Sequence, residues 1–226
     1  MNKQQIYKLL EDKMLKYSDL AQIPVKGNGE KMINLSDLDW LETRQIDERM
    51  ELYTGINIYV RESIAKRLEI ANRFLQSAIP NGKLQIVYGY RALEIQQGLY
   101  KDFYSKMKNE FKNKEELQEA VHRLIAVPEV SGHPTGGAID VEIVREDCTP
   151  LNMGTKIWEF VEDSYTFSPF IERQEWKNRQ ILGRIMILSG FAPFDGEWWH
   201  FSYGDREWAQ YYNKSNAIYE QIKFKM

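Results

Sequence analysis

Residues 138–144 read Ala-Ile-Asp-Val-Glu-Ile-Val, and no other stretch restricts the fold of this chain so strongly. Apolar and acidic residues alternate there with a period of two, the pattern of a β-strand whose successive side chains point to opposite faces. Ile139, Val141 and Ile143 must then share one face, and Asp140 and Glu142 the other. An aspartate between β-branched neighbours is costly to desolvate, so its face is expected to line a cleft where something offsets the charge. A metal ion would do so. Glu142, two residues on, would either support Asp140 from behind or meet solvent.

The segment feeding this strand is Ser131-Gly132-His133-Pro134-Thr135-Gly136-Gly137. Its proline and glycines forbid a continuous helix between His133 and Asp140. They allow instead a tight loop that folds His133 back beside the start of the strand. Near the C-terminus a second cluster, Glu197-Trp198-Trp199-His200, sets an acid and a histidine among Phe191, Phe194, Trp198, Trp199 and Phe201. Two imidazoles and one carboxylate make a three-ligand set that leaves a tetrahedral zinc one position for water. Glu197 then remains as the proton carrier such a water needs. This differs from the helical His-Glu-x-x-His arrangement, because here the acid and one histidine come from a turn-and-strand segment. The plainer alternatives are an exposed histidine in a glycine-rich turn and a local Glu197–His200 ion pair at a core edge. The third histidine, His122, lies beside an apolar stripe of Leu117, Val121, Leu124 and Ile125 and reads as structural or superficial.

The 226 residues suffice for one domain with a substantial core, and the expectation is a single domain over 1–226, helical to about residue 80 with the site in 84–210. The net charge of −3, with basic residues spread among acids, argues against nucleic acid or anionic lipid as partner. Cys148 is the only cysteine, which excludes an intrachain disulfide and a Cys-rich zinc knuckle, and reads as a plain loop residue. The N-terminus lacks the apolar run of a signal peptide and no window approaches about 18 apolar residues, so a cytoplasmic protein without membrane spans is expected, or a periplasmic one if a leader has been removed.

Helical spacing is found at 3–17, 61–78, 92–110, 115–126 and 174–189, and strands are expected at 84–88, 138–144 and 198–203. Arg91 falls just beyond the first of these strands. A short aromatic helix should follow Gly204. With no regular βαβ alternation, the fold class is α+β, a small central antiparallel sheet with flanking helices.

Taken together, the two motif segments resemble the zinc peptidases related to bacterial D-alanyl-D-alanine dipeptidases, the VanX-type enzymes of the M15 peptidase family. The family pattern Ser-x-His-x-x-Gly-x-Ala-x-Asp is met by Ser131, His133, Gly136, Ala138 and Asp140, and Glu-x-Trp-His by Glu197, Trp199 and His200. The run from Trp198 to Arg206 and the pair Asn178-Arg179 are also similar to the dipeptidase branch. The resemblance implies the VanX/hedgehog-like zinc peptidase fold, one Zn2+ held by His133, Asp140 and His200, and Glu197 as general base. It also implies that Arg91, from the Tyr90-Arg91 pair, polarises the scissile carbonyl. Two departures stand out: Ala92 replaces a common proline, and Trp158, with Glu159 adjacent, occupies the place of an acid that helps to hold substrate in the family.

The substrate so implied is a short free dipeptide, D-alanyl-D-alanine first, with Ser131, Tyr88, Trp158, Glu159 and Trp199 as candidate contacts. A ring of Tyr88, Trp158, Trp198 and Trp199 is expected to close a small pocket. A D,D- or L,D-carboxypeptidase trimming peptidoglycan stems and a non-catalytic zinc-binding module are the alternatives, the latter opposed by the intact Glu197 and Arg91. A homo-oligomer is left open.

Overall fold

In the computed structural model, which describes residues 1–226, helices α1 (Lys3–Glu11) and α2 (Tyr17–Ala21) precede β1 (Met32–Asn34) and β2 (Glu42–Thr43). A short α3 (Glu51–Thr54) and β3 (Tyr59–Arg61) lead to the long α4 (Glu62–Ala78) and β4 (Lys83–Tyr88). Helices α5 (Leu93–Met107) and α6 (Lys114–His122) come before β5 (Ala138–Val144), and α7 (Arg173–Leu188) before the hairpin β6 (Ala192–Phe194) and β7 (Glu197–Ser202). The last helix is α8 (Arg206–Tyr211). No helix is long and apolar enough to cross a membrane.

The central sheet has the order β2-β4-β5-β7-β6. Every pairing in it is antiparallel except that of β2, which runs parallel to β4. The fold is thus α+β. Its sheet becomes mixed only at one edge, where a two-residue strand adds little.

Alternation along β5 works as its composition dictates. Ile139, Val141 and Ile143 join Leu84, Ile86, Trp199 and Phe201 in the main core, covered by Ile64 and Leu68 of α4 and by Leu182 and Ile185 of α7. These side chains are all but completely removed from water, at roughly 1.5–3 kcal/mol for each fully buried aliphatic. The opposite face carries the charged row. Tyr88 of β4 pairs with Asp140 of β5, and Asp140 pairs with His200 of β7. Three neighbouring strands therefore bring these residues into one line across the sheet.

The first eighty residues are less helical than their spacing suggests. The helix expected over 3–17 stops at Glu11, because the chain turns there and sends Met14 inward to pack with Tyr7 and Tyr165, and a second short helix begins only at Tyr17. Strands β1 and β3 pair with each other, and β2 joins the central sheet. These strands, and β6, are two or three residues long. Strands so short complete no recognisable alternation. The remaining expected helices and strands are present, with ends displaced by a few residues, as helix fraying and capping allow.

Candidate active site

The loop before β5 is held from several sides. His133-Pro134-Thr135 forms a single 3-10 turn closed by Gly136, whose φ of 75° is the left-handed conformation glycine tolerates best. Thr135 Oγ1 donates to Gly132 O at 2.6 Å and accepts from Gly137 N at 2.9 Å. Arg61, buried at the end of β3, donates its backbone N–H to Gly136 O at 2.9 Å and its Nε to Thr135 O at 2.7 Å. Arg91 N donates to His133 O at 3.2 Å, which ties the loop to the end of β4.

The result is a buried triad. Ligand atoms of His133, Asp140 and His200 all lie within 4.8 Å of one another. His133 Nε2 is 3.5 Å and His200 Nδ1 3.2 Å from the same oxygen, Asp140 Oδ1. The other ring nitrogen of His133, Nδ1, is 2.8 Å from Gly89 O, so it carries the proton and leaves the Nε2 lone pair facing Asp140. Asp140 Oδ2 accepts the indole N–H of Trp158 at 2.8 Å.

Charges in this group are strongly coupled. Burial would raise the Asp140 pKa, but the two histidines hold it well below the usual carboxylate range. Burial and the Arg91 guanidinium push His133 down to about 4, keeping its imidazole neutral. His200 moves the other way despite its burial, because Glu207 and Asp140 flank it. Two imidazole nitrogens and a carboxylate oxygen, converging with the far side of each ring committed elsewhere, suit zinc in donor type and number.

The triad opens into a small cavity of about 40 Å³ lined by Arg91, Ser131, Trp158, Glu197 and Glu207, with Phe160 and Phe194 among its apolar walls. Glu197, at the start of β7, keeps part of its surface open to this space while the protein encloses it. Burial pushes its carboxyl up to about 8, helped by Asp140 and opposed by His200 and Arg91. Arg91 is aimed by its neighbours: Nη1 donates to Gln96 Oε1 at 2.7 Å, and the guanidinium carbon lies 4.5 Å from the centre of the Tyr88 ring. Gln96 in turn donates to Ala126 O at 2.8 Å.

The expected aromatic ring is only partly assembled. Trp158 lines the cavity, whereas Tyr88 stands behind it, packed edge-on against His133 and donating its hydroxyl to Asp47 at 2.7 Å. Trp199 points into the main core, since it neighbours His200 on a strand and must take the opposite face. Trp198 shares the His200 face but is buried and donates to Thr155 Oγ1 at 2.9 Å. Glu159 is exposed, outside the cavity, and accepts from Lys156 N at 2.9 Å. Glu142 is buried and meets Arg44 at 3.2 Å, not the triad. Sequence reasoning passed over Gln96, His122 and Glu207 as cavity residues. The signal for Glu207 was an acid directly beside Trp208, seven positions after His200.

A family model described as D-Ala-D-Ala dipeptidase, Peptidase M15, matches residues 36–218. The chain belongs to this family. It is a zinc metallopeptidase. Over 230 residues this peptidase is 28% identical to the D-alanyl-D-alanine dipeptidase of Synechocystis sp., covering 89% of the chain and 93% of that protein. It is 37% identical over 71 residues to the D-alanyl-D-alanine dipeptidase of Escherichia coli, covering 31% of the chain and 37% of that protein. Among solved structures, the vancomycin-resistance D,D-pentapeptidase VanY in complex with Zn(II) is similar with a TM-score of 0.42 and 16% identity, over 88% of this chain and 96% of that one.

Proposed function

We propose that this peptidase hydrolyses a short, free-ended dipeptide, D-alanyl-D-alanine first, with zinc held by His133, Asp140 and His200. The observation that carries the reading is the opening of this triad into the same small cavity as Glu197 and Arg91. A structural zinc would need neither of those two charged side chains.

Zinc in such a site supplies Lewis acidity, lowering the pKa of a bound water from about 15.7 toward about 7. Glu197 is the proton carrier. Its carboxylate takes a proton from the attacking water as the water oxygen bonds to the carbonyl carbon, and delivers it to the amine nitrogen as the C–N bond breaks. Glu197 lines the same cavity as the triad, within the enclosed space where both proton transfers would occur. Arg91 directs its guanidinium at the negative charge that develops on the carbonyl oxygen, held in place beforehand by Gln96 and the Tyr88 ring. Trp158, Phe160 and Phe194 limit water around the reacting groups and strengthen these electrostatic effects.

The size of the cavity favours a small substrate, and the D-alanyl-D-alanine dipeptidases among the relatives favour that dipeptide. The deciding experiment incubates zinc-loaded protein with D- and L-alanyl dipeptides and with a stem pentapeptide ending in D-alanyl-D-alanine. Cleavage of D-alanyl-D-alanine alone is the expected result. Cleavage of the pentapeptide in its place would make the protein a carboxypeptidase, and no cleavage of any peptide would leave a zinc-binding module.

A further inference from the structure

Glu207 is a buried carboxylate that the mechanism above does not use. It sits in the first turn of α8, lines the cavity and retains 4% of its exposure. Charged side chains are seldom buried so completely without a partner, because an unpaired buried ion costs several kcal/mol. Its ion-pair partner is His200, whose Nε2 lies 3.2 Å from Glu207 Oε2, and neither of these two buried atoms has a hydrogen bond within the protein. On the same cavity wall stands His122, whose Nδ1 accepts from Val127 N at 3.2 Å, so that its proton resides on Nε2.

Each nitrogen of His200 therefore faces a carboxylate. Nδ1 faces Asp140 at 3.2 Å and Nε2 faces Glu207. A histidine that ligates a metal is a neutral imidazole with one N–H and one lone pair, and with the lone pair committed on the Asp140 side the N–H falls to the Glu207 side. The lone pair is then left on Nδ1, toward Asp140 and His133. His133 reaches the same end with its nitrogens reversed, Nδ1 against Gly89 O and Nε2 toward Asp140. A backbone carbonyl orients one ring, and a side-chain carboxylate stands where it can orient the other.

We infer that Glu207 is the positioning residue of His200, fixing its tautomer and ring orientation so that Nδ1 is presented to the metal. The inference rests on the proposal that His133, Asp140 and His200 hold zinc. The placement of Glu207 is itself built in. Asp205 caps α8, its Oδ1 accepting from Trp208 N at 2.9 Å and from Ser202 Oγ at 2.8 Å. A Cβ on Gly132 would lie 1.9 Å from Asp205 Oδ2, so the His133 loop packs directly on this cap. The contact that seats one histidine thus also seats the carboxylate behind the other.

The test is zinc affinity, measured by chelator competition on the full chain for the unaltered protein, Glu207→Gln, Glu207→Ala and His200→Ala, with the visible spectrum of the cobalt-substituted forms. Loss of a carboxylate behind a ligating histidine weakens metal binding by about 10–100-fold. That loss and a shifted cobalt spectrum are expected for Glu207→Ala. Glu207→Gln should lose less, since its amide oxygen is able to accept from Nε2–H without the charge. Unchanged affinity and spectrum in Glu207→Ala overturn the inference, and a raised KM with unchanged zinc affinity assigns Glu207 to the substrate instead. If Glu207→Ala does not fold, Glu207→Gln decides: a several-fold loss supports the role and an unchanged affinity overturns it. Failure of the underlying zinc proposal reads differently, as zinc bound by His200→Ala no more weakly than by the unaltered protein.

Discussion

Trp158 donates its indole N–H to Asp140 Oδ2 at 2.8 Å, which leaves Oδ1 as the oxygen facing both histidines. Trp158 does this from a backbone φ of 63°, a conformation that a bulky residue rarely adopts and that the surrounding structure must enforce. Its ring packs 5.0 Å from that of Tyr88. Asp140 is thus oriented from behind by the indole of Trp158.

Trp158→Phe keeps an aromatic ring against Tyr88 but removes the N–H donor together with part of the indole's volume. Asp140 Oδ2 is then a buried acceptor without a partner, a loss of about 1–3 kcal/mol. Zinc affinity is expected to fall by about tenfold or more. Chelator competition measures it, and an affinity equal to that of the unaltered protein would show that the indole N–H does not orient Asp140.

Glu197→Gln keeps shape and removes the base. Turnover of the dipeptide should fall by about 10²–10⁴ while zinc stays bound. Asp140→Ala and His133→Ala should lose zinc and activity together. Metal content and kcat measured on the same preparations separate the two classes, and normal turnover by Glu197→Gln sinks the assignment.

Arg91→Ala should lower kcat by about 10²–10³ with zinc content unchanged, the size of effect expected when one donor to a developing oxyanion is removed. A rise in KM alone, with kcat intact, would place Arg91 in substrate binding rather than in stabilising the transition state.

The raised Glu197 pKa makes a prediction about stability. Burial holds this carboxyl at about 8 against an ordinary value of 4.5, so the folded chain keeps a proton that the unfolded chain has lost. The stabilisation from this group is complete below the ordinary value and is lost as pH rises toward the folded one. Melting of metal-stripped protein at about pH 5 and pH 8 should show Glu197→Gln gaining on the unaltered protein as pH rises. A gap between the two that does not change with pH would contradict this.

Much of the architecture was legible because it is local. The helix over 62–78, with Ile64, Leu68, Ala71 and Leu75 on one face, and the alternation of β5 follow from periodicities that a single segment carries. β1, β2, β3 and β6 were not legible, since each is two or three residues long and exists through its partner strand. The aromatic residues near the motif misled for a related reason. Trp198 and Trp199 differ in face by simple alternation, yet proximity in sequence to His200 put both in the pocket.

By itself the sequence determined which residues were candidates for the chemistry: a histidine in a loop that cannot be helical, an aspartate on the polar face of a strand, and an acid and a histidine in an aromatic run. Only the tertiary structure decided how they meet. Asp140 stands opposite His200 because β5 and β7 pair in one register, and that register is chosen by Ile139 and Phe201 packing into the common core. The supports of the triad, Trp158 behind Asp140 and Glu207 behind His200, come from segments 18 residues after Asp140 and seven after His200. Such contacts are set by turns, caps and burial across the molecule, and no periodicity within one segment encodes them.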